Sequence, residues 1–156
     1  MPENTGPDAQ AKAAAAQGLS KLLADSYAVY LKTHGYHWNV RGPNFAQLHT
    51  LFMEQYTEMW AAIDEVAERI RSLGELAPQG YGAFGNLSGI KDGDPTNSAP
   101  EMIRDLVQSH EALIATAYAI LPGVQEAGDE VTASLISDRL TAHEKHAWML
   151  RANLEG

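Results

Sequence analysis

Residues 43–74 read PNFAQLHTLFMEQYTEMWAAIDEVAERIRSLG. Phe45, Leu48, Phe52, Tyr56, Met59, Ile63, Val66 and Ile70 recur in this stretch at intervals of three and four. At roughly 100° per residue they fall on one arc, which predicts an amphipathic helix of about 30 residues with its apolar stripe on a core. Pro43 suits the first helical position and Gly74 the close of the helix.

The flanking segments supply partners of similar length. Residues 11–34 are alanine-rich and carry Leu19, Leu22, Leu23, Ser26 and Tyr30 at helical spacing, with Gly35 marking the expected end. Ser98-Ala99-Pro100-Glu101 is a capping box with proline in the first turn. It opens a third helix with Ile103, Leu106, His110, Leu113, Ala117 and Ile120 on one side, which Pro122-Gly123 should kink or fray. Asp129 can cap a fourth, where Ile136, Leu140, His143, Ala147 and Leu150 share a face. Residues 74–97 are rich in Gly, Pro, Asn and Asp and form a long connection, with a short helix expected over 81–90. A long crossover is what a bundle needs when its second and third helices run parallel. The expected fold is all-α: a ferritin-like four-helix bundle, one domain over residues 1–156, with residues 1–10 as a mobile tail.

Composition narrows the function classes. The chain has 156 residues, 45% of them apolar, which is enough for a core and wrong for disorder. Without cysteine there are neither disulfides nor thiolate metal sites. The first ten residues lack the apolar run of a signal peptide and nothing reaches the length of a membrane span, so the cytoplasm is the expected location, with the nucleoid second. A net charge of −9, with Lys12 the one basic residue among the first 20, opposes tight attraction to nucleic acid.

Two imidazoles and two carboxylates, His37, His49, Asp64 and Glu68, lie within 32 residues. Mixed nitrogen and oxygen donors suit iron, zinc or manganese. Asp64 and Glu68 are an i,i+4 pair that can converge on one cation. His49 and Asp64 share one rod, and at ~1.5 Å per residue they stand about 22 Å apart. One chain cannot bring them to one metal unless the helix breaks. A second copy across a two-fold axis can, because the axis superposes opposite ends. Trp60 flanks the same side of the stripe and makes that side a plausible two-fold contact. Spacing alone leaves a solvated acidic pair and a hydrogen-bonded interface histidine as equal alternatives.

Residues 32–74, KTHGYHWNVRGPNFAQLHTLFMEQYTEMWAAIDEVAERIRSLG, resemble the signature region of the Dps family, mini-ferritins named for DNA protection in starved cells. The resemblance spans nearly the whole chain: residues 81–91 look like the family's short connecting helix and 143–150, HEKHAWML, like its last helix. It implies a hollow dodecamer that oxidises Fe(II), preferably with hydrogen peroxide over oxygen, and stores the Fe(III) mineral. It places ferroxidase centres at two-fold interfaces, with His37 and His49 from one subunit and Asp64 and Glu68 from its partner; zinc fits the same donors. Trp38 would lie beside the centre and trap stray oxidising equivalents. One position departs from the family pattern: Met53 stands where an acidic ligand is usual, four residues after the second histidine. A thioether is a soft donor unsuited to Fe(III). Two alternatives follow, a DNA-compacting nucleoid protein and a metal-binding assembly in which Met53 impairs oxidation.

Other residues carry weaker signals. His34 is expected to meet carbonyls at the helix end, with a role beside His37 second. His143 and His146 are i,i+3, which fails the i,i+4 spacing of the zinc-protease motif; His143 and His110 are expected in the core. A more histidine-rich centre of His34, Met53 and His146 is a lesser alternative. Glu54, Glu58 and Glu65 face away from the core stripe, where a shell interior would use them to nucleate mineral. Asp129 and Asp138 suit an acidic entry pore or, equally, a cap and a surface charge.

Overall fold

A computed structural model describes residues 3–155 of the chain. It contains α1 (Ala9–Asn39), α2 (Phe45–Ser72), α3 (Tyr81–Leu87), α4 (Ala99–Glu126) and α5 (Glu130–Ala152). The short links between α1 and α2 and between α4 and α5 make two antiparallel hairpins. α1 packs on α2 and α4, and α5 packs on α4 and α2, which closes the four-helix bundle. The crossover of residues 73–98 carries α3, which lies on α1.

The termini of these helices follow the local chemistry. The Asp8 carboxylate caps α1 by accepting from the Ala11 amide. Ser98 and Glu101 form the reciprocal capping box of α4. Asp129 accepts from the Thr132 amide at the start of α5. Gly74 has φ of 96°, the conformation that ends α2 and that a side chain would strain. The expected tail over residues 1–10 reaches Met1 and Pro2, which lie outside the described residues; Ala9 and Gln10 are already in α1.

Four local expectations are revised. α1 does not stop at Gly35 but runs on through His37 to Asn39, because Thr33, Tyr36 and His37 are buried on its inner face. α2 begins at Phe45, two residues after Pro43. α4 continues past Pro122 to Glu126 and closes at Gly128, whose φ is 73°. Phe45 is exposed, and Tyr30, Tyr56 and Ile120 are half-buried rather than central.

The interior divides into two apolar clusters. One gathers Leu19, Leu22, Val29, Met59, Ile63, Val66, Leu113 and Ile136; the other Tyr36, Leu48, Phe52, Met102, Leu106 and Leu150. Gln55, His110, His143 and His146 are buried between them in sequence order along α2, α4 and α5. The crossover is tied down by one carboxylate. Buried Asp25 accepts from Lys21 Nζ and Thr116 Oγ1 on one oxygen and from Ser88 Oγ and the Gly89 amide on the other. Four donors on one buried anion satisfy what burial would otherwise make costly. Tyr27 stacks on Phe84, ring centroids 4.7 Å apart, and seats α3 on α1.

Candidate metal centre

His37 lies in the last turn of α1 and His49 in the second turn of α2, and the hairpin lays their rings face to face. The ring centroids are 3.7 Å apart and the planes 15° from parallel. Each ring is fixed by the other's backbone: His37 Nδ1 is 2.6 Å from the His49 carbonyl oxygen, and His49 Nδ1 is 2.7 Å from the His37 carbonyl oxygen. A carbonyl only accepts, so both Nδ1 atoms carry the proton and donate it. The His37 carbonyl is among the last four of α1, which have no partner inside the helix. The reciprocal bonds therefore fix the hairpin and set the tautomer together. In the neutral imidazole this leaves each Nε2 its lone pair, as a metal-ligating imidazole requires.

Asp64 and Glu68 are exposed on α2, and the Asp64 carboxylate within hydrogen-bonding reach pushes the Glu68 carboxyl above the usual carboxylate range. Two carboxylates this close repel each other, and a cation between them would relieve that repulsion. They line an open cleft of about 890 Å³ bounded by Trp60, Pro78 and Phe84. α2 is unbroken from Phe45 to Ser72, so the rod argument holds: the two halves stay far apart within one chain. Among the described residues no group of three or more His, Cys, Asp or Glu in one chain is arranged to hold a metal ion. The outer face between the halves is apolar and unpartnered, with Trp38 62% exposed, Trp60 60% and Met53 42%. Large exposed apolar groups on one face mark a contact surface.

Residues 16–156 match the ferritin-like domain model. The chain is 37% identical over 137 residues to the DNA protection during starvation protein of Brevibacillus brevis, covering 88% of this chain and 92% of that one. It is 35% identical over 150 residues to the protein of the same name from Porphyromonas gingivalis, covering 96% and 94%. The crystal structure of the Dps protein from Vibrio cholerae O1 superposes with a TM-score of 0.92 at 34% identity, over 98% of this chain and 96% of that one. The chain belongs to the Dps family of ferritin-like proteins.

Within this Dps subunit the other sequence candidates separate clearly. His34 is not at a helix end. Its ring packs on Trp38 at 4.2 Å and Tyr56 at 4.5 Å, and burial followed by His37 lowers its proton affinity. It is part of an aromatic wall beside the imidazole pair, and Tyr56 joins that wall to His37 at 5.3 Å. Met53 is on the outer face of α2, one turn after His49, and makes no hydrogen bond. His146 is not brought to this site; its Nε2 bonds Glu58 Oε1 at 2.7 Å. Glu58 is therefore not a free mineral-facing carboxylate, since Arg139 also grips it through two nitrogens. Glu54 and Glu65 are exposed as expected. Asp129 is buried and committed to Thr132 and Arg69, whereas Asp138 is exposed.

Sequence reasoning missed the reciprocal histidine bonds and the Glu58–Arg139–His146 group. The HEKH string and the arginine four residues before His143 were visible, but only the placement of α5 against α2 shows what they meet.

Proposed function

We propose that the chain is a subunit of an iron-oxidising and iron-storing cage, a dodecamer with ferroxidase centres shared across two-fold axes. The observation that carries this reading is the paired tautomer lock: two imidazoles whose Nδ1 atoms are held by backbone carbonyls, leaving Nε2 to face a ligand, and an adjacent acid pair farther along α2, too far away to serve them. His37 and His49 of one subunit would bind Fe(II) with Asp64 and Glu68 of the partner subunit. The carboxylates balance the cation's charge and favour the Fe(III) product, a harder ion that prefers oxygen donors. Hydrogen peroxide is the preferred oxidant in this reading: it takes one electron from each of two Fe(II) ions together with two protons and leaves as two waters, without a free hydroxyl radical. Zinc takes the same nitrogen and oxygen donors and is expected to compete. The His34–Trp38–Tyr56 wall excludes water from one side of the pair and offers oxidisable rings to stray equivalents.

Anaerobic Fe(II) titration followed by peroxide, read as Fe(III) absorbance, tests the activity. The shared site is tested by mixing subunits. His49→Ala and Asp64→Ala damage opposite halves, so mixed cages should recover part of the activity that each parent lacks. No recovery in verified mixed cages would place the site within one chain. Light scattering should show a dodecamer at neutral pH; a stable monomer or dimer would sink the assembly. The net charge of −9 favours protection of DNA by removing iron and peroxide over coating it. Metal-free protein should leave plasmid mobility unchanged in a gel shift at physiological salt.

A further inference from the structure

His110 on α4 and His143 and His146 on α5 bring three imidazoles together inside the bundle, away from the α1–α2 pair. Their ring centroids are 5.2, 5.5 and 5.9 Å apart. His110 and His143 are 0% exposed. A guanidinium only donates, so Arg139 Nη2, 3.0 Å from His143 Nε2, occupies that lone pair. His143 must then carry its proton on Nδ1, and it donates to His110 Nδ1 at 2.9 Å. The proton of His110 is left on Nε2, which is buried without a partner. The direction of the whole chain, Arg139 to His143 to His110, follows from one group that cannot accept.

Neither ring can take a second proton at a bonded nitrogen without breaking a bond. The same count argues against a cation: the two Nδ1 atoms that face each other are already joined by a proton, with a guanidinium alongside. The surrounding charges are few. α2 contributes Glu58, gripped by Arg139 and His146, and the neutral Gln55, whose amide donates to the His146 carbonyl. The buried charges of α1 are both paired: Lys32 is held by Asp105 and Ser109 of α4, and Asp25 accepts from Lys21 and from Thr116 of α4.

We propose that His110 and His143 form an acid-operated latch between α4 and α5, closed while both rings are neutral and sprung when the subunit opens to let them take up protons. Burial, followed by His146 and Arg139 and against Glu58, pushes His110 down to about 3. Burial, followed by His110, Arg139 and His146, holds His143 well below the usual imidazole range. The unfolded chain, with ordinary imidazoles at about 6.5, therefore binds more protons than the folded one as pH falls below that value. Between pH 6 and pH 5 each latch histidine then raises the unfolding constant about eightfold, about sixtyfold for the pair.

The test is urea unfolding of the assembled protein, at one subunit concentration, at steps from pH 6 to pH 5, followed by far-ultraviolet circular dichroism. The His110→Leu/His143→Phe double variant should lose about sixtyfold of the rise between pH 6 and pH 5 seen in wild type. His143→Gln, whose amide oxygen can still accept from Arg139, should lose about eightfold and serves if the double variant does not fold. Parallel pH slopes for wild type and either variant overturn the latch. So does a zinc-induced rise in the neutral-pH midpoint of His49→Ala protein that His110→Leu abolishes, because that assigns the cluster to metal. The latch does not depend on the ferroxidase reading, and inactive cages would leave it standing.

Discussion

The subunit holds two groups of close-packed histidines, and hydrogen-bond direction gives them opposite chemistry. In the α1–α2 pair, Nδ1 of each ring donates to a backbone carbonyl and Nε2 is left open. In the α4–α5 group, Arg139 and His143 consume the lone pairs and Glu58 accepts a hydrogen bond from His146. The pair lies beside an apolar outer face that a partner can cover; the group lies in the core. Proximity of imidazoles is therefore no guide to metal binding. What matters is whether the partners are acceptors, which free a lone pair, or donors, which use it.

The sharpest way to break this contrast is to remove one histidine from each group. His49→Ala takes away a proposed metal donor and the lock on His37, and peroxide-driven Fe(II) oxidation should fall about a hundredfold or more. His143→Gln should leave the initial oxidation rate within about twofold of wild type while changing the acid stability. Equal losses of oxidation in both variants, measured by Fe(III) absorbance in verified cages, would show that the groups act as one.

The contrast also explains which features the sequence could disclose. Periodicity along 43–73, the Ser98 capping box, the Asp129 cap and the short helix in the crossover all depend on residues within a few positions of one another, and all appear in the structure. Gly35 misled because packing overrode a local preference, and Pro122 stands only four residues before α4 ends at Glu126. A mid-helix glycine costs about 1 kcal/mol, less than burying Tyr36 and His37 on the continued helix returns. For the site, spacing on one rod argued for two separated halves, and the unbroken α2 keeps them separated. The His37–His49 lock depends on the register of two helices, which no single-helix pattern encodes. Glu58 shows the same limit: a wheel drawn on α2 alone turns it to solvent, and only α5 brings Arg139 and His146 to it.

A second break targets Glu58. Burial raises its pKa, but hydrogen bonds from His146 and Arg139 outweigh this and bring it down to about 2 from the ordinary 4.5 of a glutamate. A depressed carboxylate contributes stability that is present above its unfolded pKa and is lost as pH falls through the folded one. The Glu58 contribution should thus be full at pH 5 and disappear between pH 4.5 and 2. The latch histidines act from about pH 6.5 down towards the folded value of about 3 for His110, so only the interval above pH 5 isolates them from Glu58. Its side chain is 38% exposed while that of Arg139 is 6% exposed, so solvent screens part of the pair. Glu58→Gln should cost about 2 kcal/mol near neutral pH, below the figure for a fully buried pair. Equal stability of wild type and variant in urea at pH 7 would show that Arg139 is satisfied without Glu58.

The smallest expected effect concerns Met53, where the metal-binding pair meets its apolar surroundings. The side chain lies one turn after His49 on the outer face of α2, 42% exposed and without a hydrogen-bond partner. Met53→Glu puts a hard oxygen donor on that face, within a helical turn of His49, without touching the lock between His49 and His37. The variant should bind more Fe(II) per subunit and oxidise it a few times faster with peroxide. The added carboxylate also enters a surface that assembly would dry, and an unpaired charge there is costly. Metal-free Met53→Glu should therefore unfold more easily than wild type, and added metal should restore the loss because it binds the folded state alone. Iron stoichiometry from the anaerobic titration, set beside thermal midpoints with and without zinc, checks both halves. Equal stoichiometry and equal rates would mean that another group already supplies the fifth donor, and His34, beside His37, is the residue to replace next.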